Sequence, residues 1–445
     1  MSRDCGGRGL CGKCRLQAPG LPVLDADRRV LGDALCLQGW RLACIHEKKE
    51  QTEGKEDTLS LSGLRETPVM ETAGSQLACA PDGAEPKLAA LDIGTTTVVL
   101  SLLDKHGRLV RECRWANPQR RWGADVLSRL EHYREMPAGL IRSLVEPELG
   151  GVGRLVVTGN TVMTHIWLET DPAPLARVPF VIPWPDAVIN RHGGREEIVC
   201  APFAPYVGAD IRTGLLELLS GPHARRFLYM DLGTNGELAF YDEGTLTVCS
   251  TACGPALEGA GISVGMPALP GAVTCVYHEQ GDWVARTIGK EPPAGVCGSG
   301  LISWIASLRQ AGLVTPSGKL KTCPEIGNLS LTQKDIRMFQ LAKGALQAGW
   351  QLLVPAPETL EEIWVAGGFS LGLDEEACIR LGLFHPAWKG KFRFCGNMAL
   401  KGACRVAQDP KKGADSLQAH VLQLEKDPRF QETFAQAMML QEARR

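Results

Sequence analysis

Short apolar runs separated by polar turns predict an alternation of strands and helices that occurs twice along this chain. In the first half the hydrophobic pattern predicts strands at 88–92, 97–103, 109–115 and 154–158, and helices at 124–134 and 162–168. In the second half it predicts strands at 227–231, 237–241, 245–250 and 362–366, and helices at 301–310 and 335–353. Because the order repeats, we expect an α/β fold with a duplicated core.

The two halves share a turn that follows their first strand. Asp92-Ile-Gly-Thr-Thr in the first half returns as Asp231-Leu-Gly-Thr-Asn in the second. Glycine lets the backbone approach a ligand and threonine adds a hydroxyl donor, so the turn suits a phosphate. An aspartate would repel that phosphate, and we expect it to hold a shared divalent cation through water. One copy alone is also explained as an ordinary strand end, but the repeat favours a nucleotide held from both sides.

A later strand of each half ends in a glycine-containing loop. Gly159-Asn160 follows the strand at 154–158, and Gly367-Gly368 follows the strand at 362–366. Such loops can lie flat against an adenine or a ribose, although a tight strand-to-helix turn explains them equally well. Between the halves, the proline-rich segment 171–205 has no clear period and is interpreted as an insertion.

Composition narrows the class of protein. A length of 445 residues predicts two or three domains, and the net charge of -2 gives no electrostatic reason to expect nucleic acid or an anionic membrane. There is no apolar run of 18 residues, which favours a cytoplasmic protein without a membrane span. In the cytoplasm clustered cysteines among the 16 are better interpreted as metal ligands than as disulfides.

Four cysteines form a candidate cluster site. Cys5, Cys11 and Cys14 lie on one glycine-rich loop and Cys44 follows at a distance, a pattern that indicates a 2Fe-2S cluster. Zinc is the competing metal, and Cys36 is the alternative fourth ligand. The spacing of the first two cysteines looks like the loop of adrenodoxin-like ferredoxins. Only four residues precede the first cysteine, so we expect a truncated ferredoxin-like domain or a start that lies upstream.

The pattern divides the chain into four parts. We expect the ferredoxin-like domain at 1–46, a flexible linker at 47–87, a first lobe at 88–225 and a second lobe at 226–445. The linker is predicted from its charged and polar composition, which buries too little apolar surface to fold alone.

Several strings carry a resemblance to known families. The paired turns and the two glycine-containing loops look like the phosphate and adenosine motifs of the superfamily of acetate and sugar kinases, Hsp70 and actin (ASKHA). More specifically, the chain resembles the reductive activators of corrinoid proteins, which join a 2Fe-2S domain to this ATPase fold. The strings that carry this resemblance are NPQ at 117–119, GADVLSR at 123–129, DLGTNGE at 231–237, CGPALEG at 253–259, CGSG at 297–300 and GNMALKG at 396–402.

The resemblance implies a duplicated actin-like, ribonuclease H-like ATPase core with a small N-terminal ferredoxin-like domain. It implies an ATP-dependent electron transfer from the 2Fe-2S cluster to Co(II) of a corrinoid methyltransferase protein, which restores Co(I). The implied partners are that corrinoid protein, an upstream electron donor and a second copy of the chain in a homodimer. A small-molecule kinase of the same fold, or an ATP-gated electron donor to another metalloprotein, is the alternative.

The resemblance also assigns roles to residues. It implies that Asp92 and Asp231 position Mg²⁺, that Glu237 or Glu258 orients the attacking water, and that Cys5, Cys11, Cys14 and Cys44 bind the cluster. The residues implied to bind ATP are Gly94, Thr95, Thr96, Gly159, Asn160, Gly233, Thr234, Asn235, Gly367 and Gly368.

Overall fold

A computed structural model describes the fold for residues 15–17, 22–37, 40–42, 78–123, 125–177, 180–182, 184, 186–279, 281–368, 370–412 and 417–443. The four predicted cluster ligands, Cys5, Cys11, Cys14 and Cys44, lie outside these residues, as does most of the predicted linker. Near the N-terminus, strands β1 (Arg15–Gln17) and β2 (Trp40–Leu42) pair antiparallel, and helix α1 (Asp25–Leu37) lies between them in sequence. The buried carboxylate of Asp27 accepts a 2.7 Å hydrogen bond from the backbone of Leu42, which ties the second strand to the helix start.

The first lobe is built on a six-stranded sheet in the order β5-β4-β3-β6-β8-β7. Its strands are β3 (Leu88–Ile93), β4 (Thr97–Leu103), β5 (Leu109–Ala116), β6 (Arg154–Gly159), β7 (Val188–His192) and β8 (Arg195–Val199). Its helices are α2 (Val126–Glu131), α3 (Leu140–Val145), α4 (Thr161–Trp167) and α5 (Ala209–Leu219). The central strands are almost continuously apolar because both faces of the sheet are covered.

The second lobe repeats this plan with the sheet order β16-β15-β9-β10-β11-β17. Its strands are β9 (Arg226–Leu232), β10 (Gly236–Asp242), β11 (Thr245–Thr251), β15 (Glu362–Ala366), β16 (Phe392–Gly396) and β17 (His420–Val421). A separate three-stranded sheet contains β12 (Ala272–Glu279), β13 (Asp282–Thr287) and β14 (Gly295–Val296). The helices are α6 (Gly298–Gln310), α7 (Gln333–Leu353), α8 (Glu375–Leu381), α9 (Met398–Gln408) and α10 (Phe430–Ala437).

Five strands of the two large sheets correspond one to one. In each lobe three strands form an antiparallel meander, and two further strands add in parallel beside the first strand of that meander. The order β5-β4-β3-β6-β8 of the first lobe therefore equals β11-β10-β9-β15-β16 of the second. The duplicated actin-like α/β core predicted from the sequence is confirmed.

Two predictions about the first lobe need correction. The segment 171–205, which the sequence pattern indicates as an insertion, in fact supplies β7 and β8, and β8 is one of the five strands common to both lobes. Short strands on a twisted sheet lack the long apolar run that reveals the central strands, which explains why the pattern hid them. The predicted linker also ends earlier than 87. Cys79 forms a backbone β-bridge with Leu109, and the backbone N–H of Lys87 donates a hydrogen bond to the oxygen of Leu103 in the first sheet.

Helices α5 and α9 each follow the fifth common strand of a lobe, and they cross each other where the lobes meet. A Cβ at Gly402 of α9 would lie 1.8 Å from the backbone oxygen of Thr213 in α5, so only glycine permits this crossing. Although α9 belongs to the second half of the sequence, it also packs on the first sheet, where Leu400 and Ala403 join the apolar core of the first lobe. The two lobes therefore share one core at this crossing.

The predicted helix at 124–134 is shorter in the structure, where α2 spans six residues and begins at the cap Asp125. The predicted helix at 335–353 begins at 333 because Thr332 and Asp335 form a reciprocal capping box. Within the described part of the chain, no helix is both long enough and apolar enough to cross a membrane.

Candidate functional site

A cavity of about 220 Å³ lies between the two lobes at the ends of β3 and β9. It brings together both copies of the repeated turn, the loop after β6 and the loop after β15. The residues predicted from the sequence that line it are Asp92, Gly94, Thr95, Thr96, Asn160, Asp231, Gly233, Thr234, Asn235, Glu237, Glu258, Gly367 and Gly368. Residues more than 270 positions apart in the sequence thus share one site.

Gly159 is the residue predicted to bind ATP that does not line the cavity. Its Cβ would lie 2.7 Å from the backbone oxygen of Ile93, at the end of β3. Gly367 occupies the matching place in the second lobe, where a Cβ would lie 2.2 Å from the oxygen of Leu232 and φ is 99°. Both glycines therefore allow two strand ends to approach each other, whereas Gly368 has open space around it that a ligand can occupy.

Side chains from the loop after β5 and from α2 hold the first repeated turn. Asn117 donates a 2.7 Å hydrogen bond to the backbone oxygen of Gly94, and the buried guanidinium of Arg129 donates to the backbone oxygen of Thr95. Asn160, which caps α4, donates a 3.1 Å hydrogen bond to the hydroxyl of Thr95. Two of these hydrogen bonds end on carbonyl oxygens of the turn and the third ends on a side-chain hydroxyl, so none of them uses a backbone N–H group of the turn.

Three aspartates converge on the cavity. Burial raises the pKa of Asp92 to about 6 against the opposing hydrogen bond from Asn397, and burial together with Asp92 raises the pKa of Asp231 to about 7. The pKa of Asp210 is also raised, by burial and by the charges of Asp231 and Asp92. Mutual repulsion of this kind disappears when a cation binds among the carboxylates.

Two glutamates complete the acidic lining. Glu258 lies between the repeated turns, where it accepts a 2.6 Å hydrogen bond from the hydroxyl of Thr234 and a longer one, 3.4 Å, from that of Thr96. Burial raises the pKa of Glu258. Burial also raises the pKa of Glu237, and the negative charges of Asp210 and Asp231 raise it further. Glu258 thus contacts both repeated turns.

The sequence patterns did not assign Asp210 or Asn397 to the site. Asp210 lies in the first turn of α5, and Asn397 caps α9 and donates a 2.6 Å hydrogen bond to the carboxylate of Asp92. A weak signal existed for each: Gly208-Ala-Asp210 repeats the tripeptide at 123–125, and Asn397 follows a strand-ending glycine. Arg114 also lines the cavity, where it forms an ion pair with Glu112.

Within the described residues, no group of three or more His, Cys, Asp or Glu side chains is arranged to hold a metal ion directly. Cys253 and Cys297 are buried and Cys395 is partly buried, as is typical of small packed thiols.

Two family models match this chain. One, described as the C-terminal domain of RACo, the ASKHA domain, matches residues 225–445, and the other, described as the RACo middle region, matches residues 88–147. Each of the two matched ranges contains one copy of the repeated turn.

Known proteins and a solved structure agree with these matches. The corrinoid activation enzyme RamQ of Eubacterium limosum is 33% identical, over 78% of this chain and 69% of that protein. The [Co(II) methylated amine-specific corrinoid protein] reductase of Methanosarcina barkeri is 28% identical, over 57% of this chain and 55% of the reductase. A solved structure of a reductive activator for corrinoid, iron-sulfur protein is 30% identical with a TM-score of 0.69, and the match covers 81% of this chain and 67% of the other. The chain therefore belongs to the family of reductive activators of corrinoid proteins, with an ASKHA core.

Proposed function

We propose that the protein binds Mg-ATP between its two lobes and uses it to pass an electron from an N-terminal 2Fe-2S cluster to Co(II) of a corrinoid protein, which restores Co(I). The observation that supports nucleotide binding is the cavity lined by residues of both repeated turns. The turns offer backbone N–H groups and the hydroxyl of Thr95 to phosphates, and the open space at Gly368 suits the adenosine. Membership of the family carries the electron-transfer half.

The acidic lining supports a divalent cation at the phosphates. A phosphate chain alone would be repelled by Asp92, Asp210 and Asp231, whereas Mg²⁺ between the carboxylates and the phosphates attracts both. In this arrangement Asp92 and Asp231 position the cation, and the hydrogen bond from Asn397 keeps the carboxylate of Asp92 in a fixed orientation. Bound Mg²⁺ supplies electrostatic stabilisation of the charge that develops on the phosphates.

Glu258 is the better candidate to orient the attacking water. It accepts hydrogen bonds from Thr96 and Thr234, which hold it between the two turns proposed to receive the phosphates. Its raised pKa makes the carboxylate a stronger base than an exposed glutamate. Glu237 lies among the aspartates, and its role is to shape the cation site.

The cluster is proposed at Cys5, Cys11, Cys14 and Cys44. Support comes from their spacing in the sequence and from family membership, because these cysteines lie outside the described residues. An upstream electron donor that refills the cluster, a homodimer and a cytoplasmic location complete the proposal.

A nucleotide that contacts both lobes can couple its binding to their relative position. The contacts of the two turns with one phosphate chain become available only when the lobes are close enough to share it. Binding therefore shifts the population toward a closed arrangement by the difference in affinity between the two states. We propose that this closed arrangement is the one that permits electron transfer to cobalt.

The test is cobalt reduction under anaerobic conditions. Chemically reduced protein is mixed with a Co(II) corrinoid protein, with and without Mg-ATP, and the Co(I) absorption is followed. We expect Co(I) to form only with Mg-ATP. Equal reduction without nucleotide would contradict the proposal, and a colourless protein as purified would contradict the cluster and favour zinc. Transfer of phosphate from ATP to a sugar or an organic acid would support the alternative, a kinase.

A further inference from the structure

A second cavity, of about 460 Å³, has no residue in common with the cavity between the lobes. Its walls include residues 106–108 of the turn between β4 and β5, Glu217 of α5 and one face of α9. On that face Lys401, Arg405 and Gln408 follow each other at helical spacing. The volume is in the range of small-molecule sites, about 300 to 1,000 Å³.

The turn between β4 and β5 is held in shape by the buried carboxylate of Asp104. This carboxylate accepts hydrogen bonds from the backbone N–H groups of His106, at 2.8 Å, and Arg108, at 2.9 Å, and from the guanidinium of Arg108. Gly107 has a φ of 78°, and a Cβ there would lie 2.2 Å from the side chain of Gln408, so the turn lies directly against α9. Arg108 is therefore fixed at the cavity before a ligand arrives, which lowers the entropy cost of binding.

The lining contains three permanent cations, Arg108, Lys401 and Arg405, and one carboxylate, Glu217. Glu217 is already paired, because it accepts a 2.7 Å hydrogen bond from Nε of Arg405. Among the described residues, none accepts a hydrogen bond from the terminal nitrogens of Arg405. The ammonium of Lys401 donates a 3.3 Å hydrogen bond to the oxygen of Cys395 and forms no ion pair within the described part of the chain. The cavity therefore has an excess of positive charge and unused N–H donors.

We propose that this second cavity binds a small ligand that carries a phosphate group. A phosphate group has three acceptor oxygens and a charge of about -1.5 to -2 at pH 7, so Arg108, Lys401 and Arg405 can each donate to it. A carboxylate has two oxygens and a single charge, and it would leave part of the positive charge unmatched. Because the two cavities share no residue, this ligand binds in addition to a nucleotide between the lobes and does not depend on it.

The test is titration calorimetry of the full chain with glycerol 3-phosphate, inorganic phosphate and acetate at constant ionic strength. Saturating Mg-AMPPNP, an ATP analogue that is not hydrolysed, keeps these anions out of the cavity between the lobes. The variants are K401Q, which leaves the ion pairs of Arg108 and Arg405 in place, and K401R, which keeps the charge. The matched control is K334Q, because Lys334 is an exposed lysine in the first turn of α7 and does not line the cavity. Thermal unfolding reports on folding.

We expect one glycerol 3-phosphate to bind per chain, and K401Q to lower its affinity on the order of 10-fold or more, the range for a lost hydrogen bond to a charged group. K401R should keep most of the affinity, K334Q should match the wild type, and acetate should bind more weakly than inorganic phosphate.

The inference would be overturned if neither phosphate compound bound the wild type, or if K401Q and K334Q had the same affinity for them. Acetate that bound as tightly as inorganic phosphate would refute the assignment of a phosphate group. Failure of Mg-AMPPNP to bind the wild type would instead contradict the proposed function, whereas a loss of glycerol 3-phosphate affinity confined to K401Q would still support the second cavity.

Discussion

Replacing Asp231 with Asn is expected to stabilise the nucleotide-free protein at neutral and alkaline pH. Burial, together with the charge of Asp92, raises the pKa of Asp231 from its ordinary value of 3.8 to about 7. Because the pKa is higher in the folded state, the carboxyl stabilises the fold while it is protonated. That contribution is lost as the pH rises through about 7. A difference of about 3 in pKa corresponds to roughly 4 kcal/mol, which is the upper limit of the loss through this residue.

Asparagine has nearly the same shape as aspartate and no charge, so the variant escapes this loss. We expect nucleotide-free D231N to be more stable than the wild type by up to roughly 4 kcal/mol at pH 8. At pH 5 the carboxyls of Asp92 and Asp231 are both protonated in the folded protein, and the stability advantage of D231N over the wild type should shrink. Its affinity for Mg-ATP should fall steeply because one of the two cation-positioning carboxylates is missing.

The assay is unfolding by urea at pH 5 and pH 8, followed by tryptophan fluorescence without nucleotide. The matched control is D282N, since Asp282 is an exposed aspartate at the start of β13. With Mg-ATP present, the wild type should gain more stability at pH 8 than at pH 6, because binding requires the ionised carboxylates, and D231N should gain little. If D231N and the wild type lost the same stability between pH 5 and pH 8, the argument from buried repulsion would be refuted.

Substitutions at three other positions have outcomes set by single features. Asn117→Ala removes the 2.7 Å hydrogen bond to the oxygen of Gly94. We expect thermal unfolding to show a loss of roughly 1–3 kcal/mol in stability, and calorimetry to show weaker ATP binding. Gly402→Ala would place a Cβ 1.8 Å from a backbone oxygen of α5, and a loss of about 2 kcal/mol or more is expected; a melting temperature equal to the wild type would contradict the crossing geometry. Cys14→Ser should abolish the visible absorption of the anaerobically purified protein, whereas Cys79→Ser should not, and a spectrum unchanged in the first variant would remove Cys14 from the ligand set.

The local sequence determined the elements that recognise a ligand by backbone geometry. Asp-hydrophobe-Gly-Thr at 92–95 and again at 231–234 predicted two matching turns, because glycine after a buried strand allows a sharp turn and the adjacent residues supply donors. The apolar runs of β3, β4, β9 and β10 predicted the central strands, since a strand covered on both faces is apolar at nearly every position. Repetition of these elements was enough to predict a duplicated core and a cavity between its halves.

Only the tertiary structure decided which distant groups complete the cavity. Asp210 and Asn397 enter it from the starts of two helices that cross, and this crossing depends on a close contact at Gly402 that no local pattern encodes. Glu258 touches both repeated turns although it follows one of them by 24 residues. The role of Gly159 also changed, from a ligand contact to a close approach between strand ends. These features arise from contacts between residues far apart in the sequence, so the hydrophobic period and turn chemistry of a short window could not specify them.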